Sequence, residues 1–126
     1  MNEENYQAGV CNIGKSEVRA RMRLGISGYF LAIALYLAFS FSNANRNFFL
    51  FEFIPLFLGA MGVIQARAKF CVAFGLLGSF NFGKLGQSQK VEDDFSKGLD
   101  RKKVNIVLLK ALVTASTLTL LCYLLH

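Results

Sequence analysis

The chain has 126 residues, 54% of them hydrophobic, with 13 Phe, no Trp, one Pro and a formal net charge of +6. That length holds one domain, and the apolar stretches take up most of it, which leaves no room for a separate soluble catalytic domain. A basic balance can signal nucleic acid, but Lys and Arg collect beside the apolar stretches rather than on a dedicated face, so anionic lipid headgroups are the expected contact and nucleic acid is not.

Residues 1–23 are polar and carry Glu3, Glu4, Glu17, Lys15, Arg19, Arg21 and Arg23. A cleavable signal would need an apolar core in this region, so the first apolar stretch is expected to be a retained anchor. The first ten residues show no periodicity and read as a flexible or partner-ordered tail. Asn12 and Ser16 are the expected helix caps, with Glu17 in the first turn where the helix dipole favours an acid. Arg19 and Arg23 share a face, and Glu17 can pair with Arg21 at i, i+4. This basic segment is expected to lie at the headgroups, with Arg19, Arg21 and Arg23 in contact with lipid.

Leu24 to Asn45 comes next, long enough to cross a hydrocarbon core of about 30 Å as a helix. Gly28 and Ala32 give it a small-xxx-small face for close helix packing. Ser42 to Arg46 reads as a polar turn. The second apolar stretch, Asn47 to Ala66, is broken only by Glu52; it opens in a Phe cluster and continues through Pro55, Gly59 and Gly62. Pro55 is expected to kink this helix without ending it. Gly59 and Gly62 are candidate packing positions, and Arg67 and Lys69 mark the next headgroup interface.

Phe70 to Gly83 is apolar again for 14 residues, about 21 Å as helix and short for a crossing. It reads as an interfacial or re-entrant helix, with a fourth span left open. A crossing here would place six of the 14 basic residues outside, against the positive-inside tendency, so three spans are preferred. The expected organisation is a cytoplasmic basic segment over 1–23, a two-span hairpin with its interfacial helix over 24–83, a cytoplasmic loop over 84–103 with Asp100 as a candidate cap, and a third span over 104–126. Ala111 and Ala115 repeat the small-residue spacing in that span. The fold class expected is all-α, integral to the membrane, with the amino terminus in the cytoplasm.

Few groups are placed for chemistry. Glu52 is the costliest residue to insert. It stands about five residues, or roughly 8 Å, inside the far end of its helix, where it is expected to reach headgroup water or Arg46; a partner-subunit contact and ion coupling remain open. Lys110 lies near the opposite face of the bilayer, so snorkelling to headgroups is expected rather than pairing with Glu52. Cys11 and Cys71 stand beside basic residues, Lys15 for the first and Arg67 and Lys69 for the second, and neighbouring cations favour a thiolate. Simple burial is the plainer reading for Cys71, and still more so for Cys122. No helix carries paired His, so neither metal nor cofactor is expected.

The run Asn12, Ile13, Gly14, Glu17, Arg19, Arg23 and Gly25 before an apolar span resembles the opening of the YgaP-type family of small bacterial inner-membrane proteins. Pro55, Leu56, Leu58, Gly59 and Gly62 resemble its second span, and Cys71, Leu76, Leu77 and Gly78 resemble the short segment after that span. The likeness covers about residues 12–78. It departs where Gln65 to Phe70 separate the last glycine from the cysteine and where Val72 stands in place of Pro. The resemblance implies a two-span hairpin in the bacterial inner membrane whose trailing short helix stays at the cytoplasmic face. Some relatives carry a rhodanese domain that moves sulfane sulfur, and this chain has none.

The expected function is a non-catalytic accessory or structural subunit of a larger inner-membrane complex, with the bilayer and either other subunits or further copies of the chain as partners. The alternatives are a thiol or sulfur relay through Cys71 and Cys11, and a small ion-coupled transporter using Glu52.

Overall fold

A computed structural model describes residues 6–126. Three helices are long and apolar enough to cross a membrane: α1 (Lys15–Phe41), a continuous pair formed by a 3-10 segment (Arg46–Glu52) and α2 (Phe53–Ala68), and α4 (Asp94–Leu125). Between the last two lie a short helix α3 (Val72–Leu77) and an antiparallel pair of two-residue strands, β1 (Ser79–Phe80) and β2 (Gln89–Lys90). The chain is mostly helical, as expected, with this small hairpin added. The region considered for a fourth span is broken: α3, at about 9 Å, cannot cross, and Gly78 ends it at φ 69°, where a Cβ would be strained.

The boundaries of the two long helices also differ from expectation. Gly14, not Asn12 or Ser16, is the N-cap of α1, and it offers no side-chain hydrogen bond. Asp93 caps α4 instead of Asp100, its carboxylate accepting from the amides of Phe95 and Ser96. The expected loop 84–103 therefore ends ten residues early, and α4 runs about 48 Å with a charged first third. Of the expected tail, residues 6–11 are folded back as a turn tied by Gln7, while residues 1–5, including Glu3 and Glu4, lie outside the described residues.

Local chemistry sets the turns. Asn43 at φ 52° comes just after the end of α1, a left-handed position that Asn tolerates, and the Asn45 side chain accepts from the Asn47 amide to start the 3-10 segment. Pro55 falls in the first turn of α2, where its missing N–H is not needed, so the expected mid-helix kink is replaced by a change of helix type before it.

Helices α1 and α2 form an antiparallel hairpin whose backbones touch. A Cβ on Gly28 would lie 2.5 Å from the Gly59 nitrogen, one on Gly25 would lie 2.6 Å from the Val63 nitrogen, and one on Gly62 would strike the Gly25 backbone. Helix α4 lies against α2. Ala32, Leu56 and Ala115 form one buried cluster, and Phe70, Val72, Val104 and Val107 form another nearer the start of α4. The side chains left outside are apolar along the helices, among them Phe30, Ile33, Leu109 and Val113. All basic residues except Arg46 and Lys110 gather where α1 and α4 begin and α2 ends, which makes this the basic end of the bundle.

Candidate functional site

Two buried polar regions stand at opposite ends of the bundle. At the basic end, Asn12 works as a bracket: its Oδ1 accepts from the Cys71 amide at 2.7 Å and its Nδ2 donates to the Cys71 carbonyl at 3.1 Å. The Asn12 and Ile13 amides donate to the carbonyl of Lys69, which closes α2 in the left-handed region at φ 54°. Asn81 joins next, exchanging backbone bonds with Asn12 and Gly14 and donating its side-chain amide to Glu17 at 3.3 Å and to the Lys84 carbonyl at 2.8 Å. Gln65 accepts from the Val72 amide and so sets the start of α3.

Glu17 is buried: the Asn81 side chain and Gly86 amide donate to Oε1, while Oε2 accepts no hydrogen bond and is matched by the ion pair with Arg21 Nη2 at 3.3 Å. The same Arg21 nitrogen donates to Cys71 Sγ at 3.1 Å. Arg21, expected among the headgroup contacts, thus faces inward, and it supplies the cation beside Cys71 that Arg67 and Lys69 were expected to supply. Arg19, Arg23, Arg67 and Lys69 are exposed. Cys71 is only 2% exposed, and none of Cys11, Cys71 and Cys122 is in a disulfide.

A second clasp holds the turn before α1 against α4. Asp100, fully buried, accepts from the Tyr6 hydroxyl at 2.6 Å and from the Gly9 amide at 2.8 Å, and the Tyr6 ring stacks on Phe80 at 4.8 Å. Burial, and then the bond to Asp100, push the Tyr6 phenol above its ordinary ionisation range. The exposed Asp93 carboxyl is held below its ordinary range by hydrogen bonds from Ser96.

The far end is built differently. Phe49 is fully buried and packs against Tyr36, Phe39 and His126, while the Arg46 guanidinium lies over Tyr123 at 5.3 Å and donates to the His126 carbonyl. Beside this aromatic plug a cavity of about 540 Å³ opens between α1 and α4. Tyr29, Ile33 and Tyr36 of α1 wall one side, Leu118 and Leu121 of α4 wall the other, and Glu52 underlies the floor. Glu52 is 0% exposed, and neither carboxyl oxygen has a hydrogen-bond partner. The expected reach of Glu52 to headgroup water or to Arg46 is therefore corrected: the acid is buried while Arg46 is occupied at the chain end. Among the described residues the ion pairs are Glu17 with Arg21 and Asp94 with Lys97, and neither touches Glu52.

Lys110 is exposed on α4 and lines a shallow hollow with Ile64, Leu109 and Val113, on a different wall from Glu52. Gly28 and Ala32, and Gly59 and Gly62, face other helices of this chain, as do the fully buried Ala111 and Ala115. Gly25, which the sequence marks only as the start of the first span, is as tightly placed as Gly28. No group of three or more metal-capable side chains occurs among the described residues. No family model, curated protein or solved structure matches this chain.

Proposed function

We propose that this chain is a non-catalytic accessory or structural subunit of a larger membrane assembly, with its basic end on the cytoplasmic side. The observation that supports this reading is how the polar side chains are spent. Asn12, Glu17, Arg21, Gln65, Asn81 and Asp100 all hold one part of the chain to another, so the costly buried polar groups at the basic end serve rigidity. A stiff bundle with broad apolar outer faces suits a part that other helices pack against. The placement in a bacterial inner membrane belongs to the same proposal and rests on the YgaP-type resemblance.

Native mass spectrometry of the protein released from its own membranes in mild detergent tests the reading. Stoichiometric partner subunits are the expected result, and a monomer with no partner under conditions that preserve known complexes would overturn it. The unpartnered carboxyl of Glu52 favours a second reading, ion-coupled transport, for which Glu52→Gln should abolish a transport phenotype without loss of insertion. The thiol relay draws on the contact of Arg21 with Cys71, but the burial of that sulfur removes the access such a relay needs.

A further inference from the structure

We infer that the cavity between α1 and α4 is a binding site for a lipophilic organic cation, with Glu52 as its counter-ion. Neither the cavity nor its acid depends on membership of a larger assembly.

The state of the acid calls for a partner. A fully buried carboxyl with no donor to either oxygen costs several kcal/mol if charged and unpaired, and the other buried acids of this chain avoid that cost, Glu17 through Arg21 and Asn81 and Asp100 through Tyr6 and Gly9. The start of α2, which Glu52 caps, contributes only a few tenths to about 1 kcal/mol through the helix dipole. Protonation spares the acid that cost while the cavity is empty; the ionised carboxylate needs a cation from outside the chain, because Arg46 is engaged with Tyr123 and His126.

The shape of the cavity limits what that partner can be. It runs along α1 from Tyr29 to Leu37, a rise of about 12 Å, so its volume of about 540 Å³ corresponds to a section of roughly 45 Å². A helix with its side chains is about 10–12 Å across, roughly 80–110 Å² in section, and could only lie across the open side without filling it. An aromatic or alkyl group fits, and the volume lies within the range of small-molecule sites, about 300–1,000 Å³. The wall is almost wholly apolar, which requires a lipophilic body, and the rings of Tyr29 and Tyr36 offer faces that attract a weakly hydrated cation. Glu52 borders the cavity but is 0% exposed, so the proposed contact requires its side chain to turn toward the bound cation.

The test uses the whole protein in nanodiscs of phosphatidylcholine, with radiolabelled tetraphenylphosphonium as the probe and neutral triphenylphosphine oxide as competitor. Wild-type protein should bind the cation saturably at one per chain, and the neutral competitor should displace it at least tenfold less well than unlabelled cation. Glu52→Gln should weaken binding at least tenfold, and Leu121→Trp, which fills the cavity from its exposed wall, should do the same with Glu52 intact. The second variant keeps the test decisive if the first does not fold. Unsaturable binding, equal affinity in Glu52→Gln, or equal displacement by the neutral compound would overturn the inference; the last result would mark the cavity as a seat for lipid chains.

Discussion

The two ends of this bundle treat buried polar groups in opposite ways. At the basic end, Asp100 accepts from donors on both oxygens and Glu17 accepts on Oε1 and pairs with Arg21 through Oε2; at the far end, Glu52 is buried equally deeply with neither a donor nor an ion pair. The difference lies in what each end is made of. The basic end gathers loops, a strand pair and three helix termini, so free amide groups and polar side chains are at hand. The far end is closed by rings, Phe49 with Tyr36, Phe39 and His126, which fill space and donate little. Rigidity and an unmet demand for a partner are thus separated along the length of one small protein.

Substitutions that break this contrast should differ in sign as well as size. Gly62→Leu forces a side chain into the Gly25 backbone, and we expect a loss of at least about 3 kcal/mol, read as a collapsed midpoint in a detergent unfolding titration. Because this contact lies within the chain, the variant should fail as a monomer before any assembly is asked of it. Asn12→Ala leaves the buried Cys71 amide without its acceptor and removes one of the two donors to the Cys71 carbonyl, which keeps the Gly75 amide, and should cost about 1–3 kcal/mol by the same titration. An unchanged midpoint would show that the bracket is dispensable.

Asp100→Ala should release the turn at residues 6–11, costing about 1.5–3 kcal/mol and opening that segment to protease. The same clasp predicts a pH effect. Since the Tyr6 phenol ionises above its ordinary value of 10.0 when folded, its stabilising contribution is complete below that pH and is lost as pH rises through the folded value. Unfolding titrations at rising pH should show this loss, and Tyr6→Phe should abolish it. At the far end the sign reverses: Glu52→Leu removes an unsatisfied acid and should raise stability by about 1–2 kcal/mol. A destabilised Glu52→Leu would mean that the two ends are not different in kind. The smallest effect belongs to Lys69→Gly, which relieves a left-handed residue at the end of α2 and should add up to about 1 kcal/mol.

Much of the bundle is readable in the sequence because it depends on local repeats. Apolar runs of sufficient length mark the three long helices, the spacing of Glu17 and Arg21 foretells their ion pair, and the glycines at 28, 59 and 62 announce close packing, although not that the packing lies within the chain. What escapes is long-range pairing of polar groups. Nothing near Asn12 indicates that its amide will serve Cys71, and Asn12 therefore reads as a helix cap. Gln65 reads as an interface marker, and Asn81 is lost in a glycine-rich stretch, although a polar amide inside an apolar run is a signal worth following. Glu52 stands out by its cost, but its direction is not set by depth alone. The chain changes from 3-10 to α geometry at that residue, a tertiary feature that the apolar run does not announce.

The clasp between Tyr6 and Asp100 joins positions 94 residues apart and brings a timetable with it. The first turn of the chain emerges from the ribosome well before its partners at Lys69, Cys71, Asn81 and Asp100, and at about 5–20 residues per second it waits roughly 5–20 s for the last of them. The two-helix hairpin is complete before α4 has been made, whereas the amino-terminal turn is latched only after α4 has begun. The turn at residues 6–11 is therefore made well before it can be latched, and for those seconds its polar groups stay open to other partners.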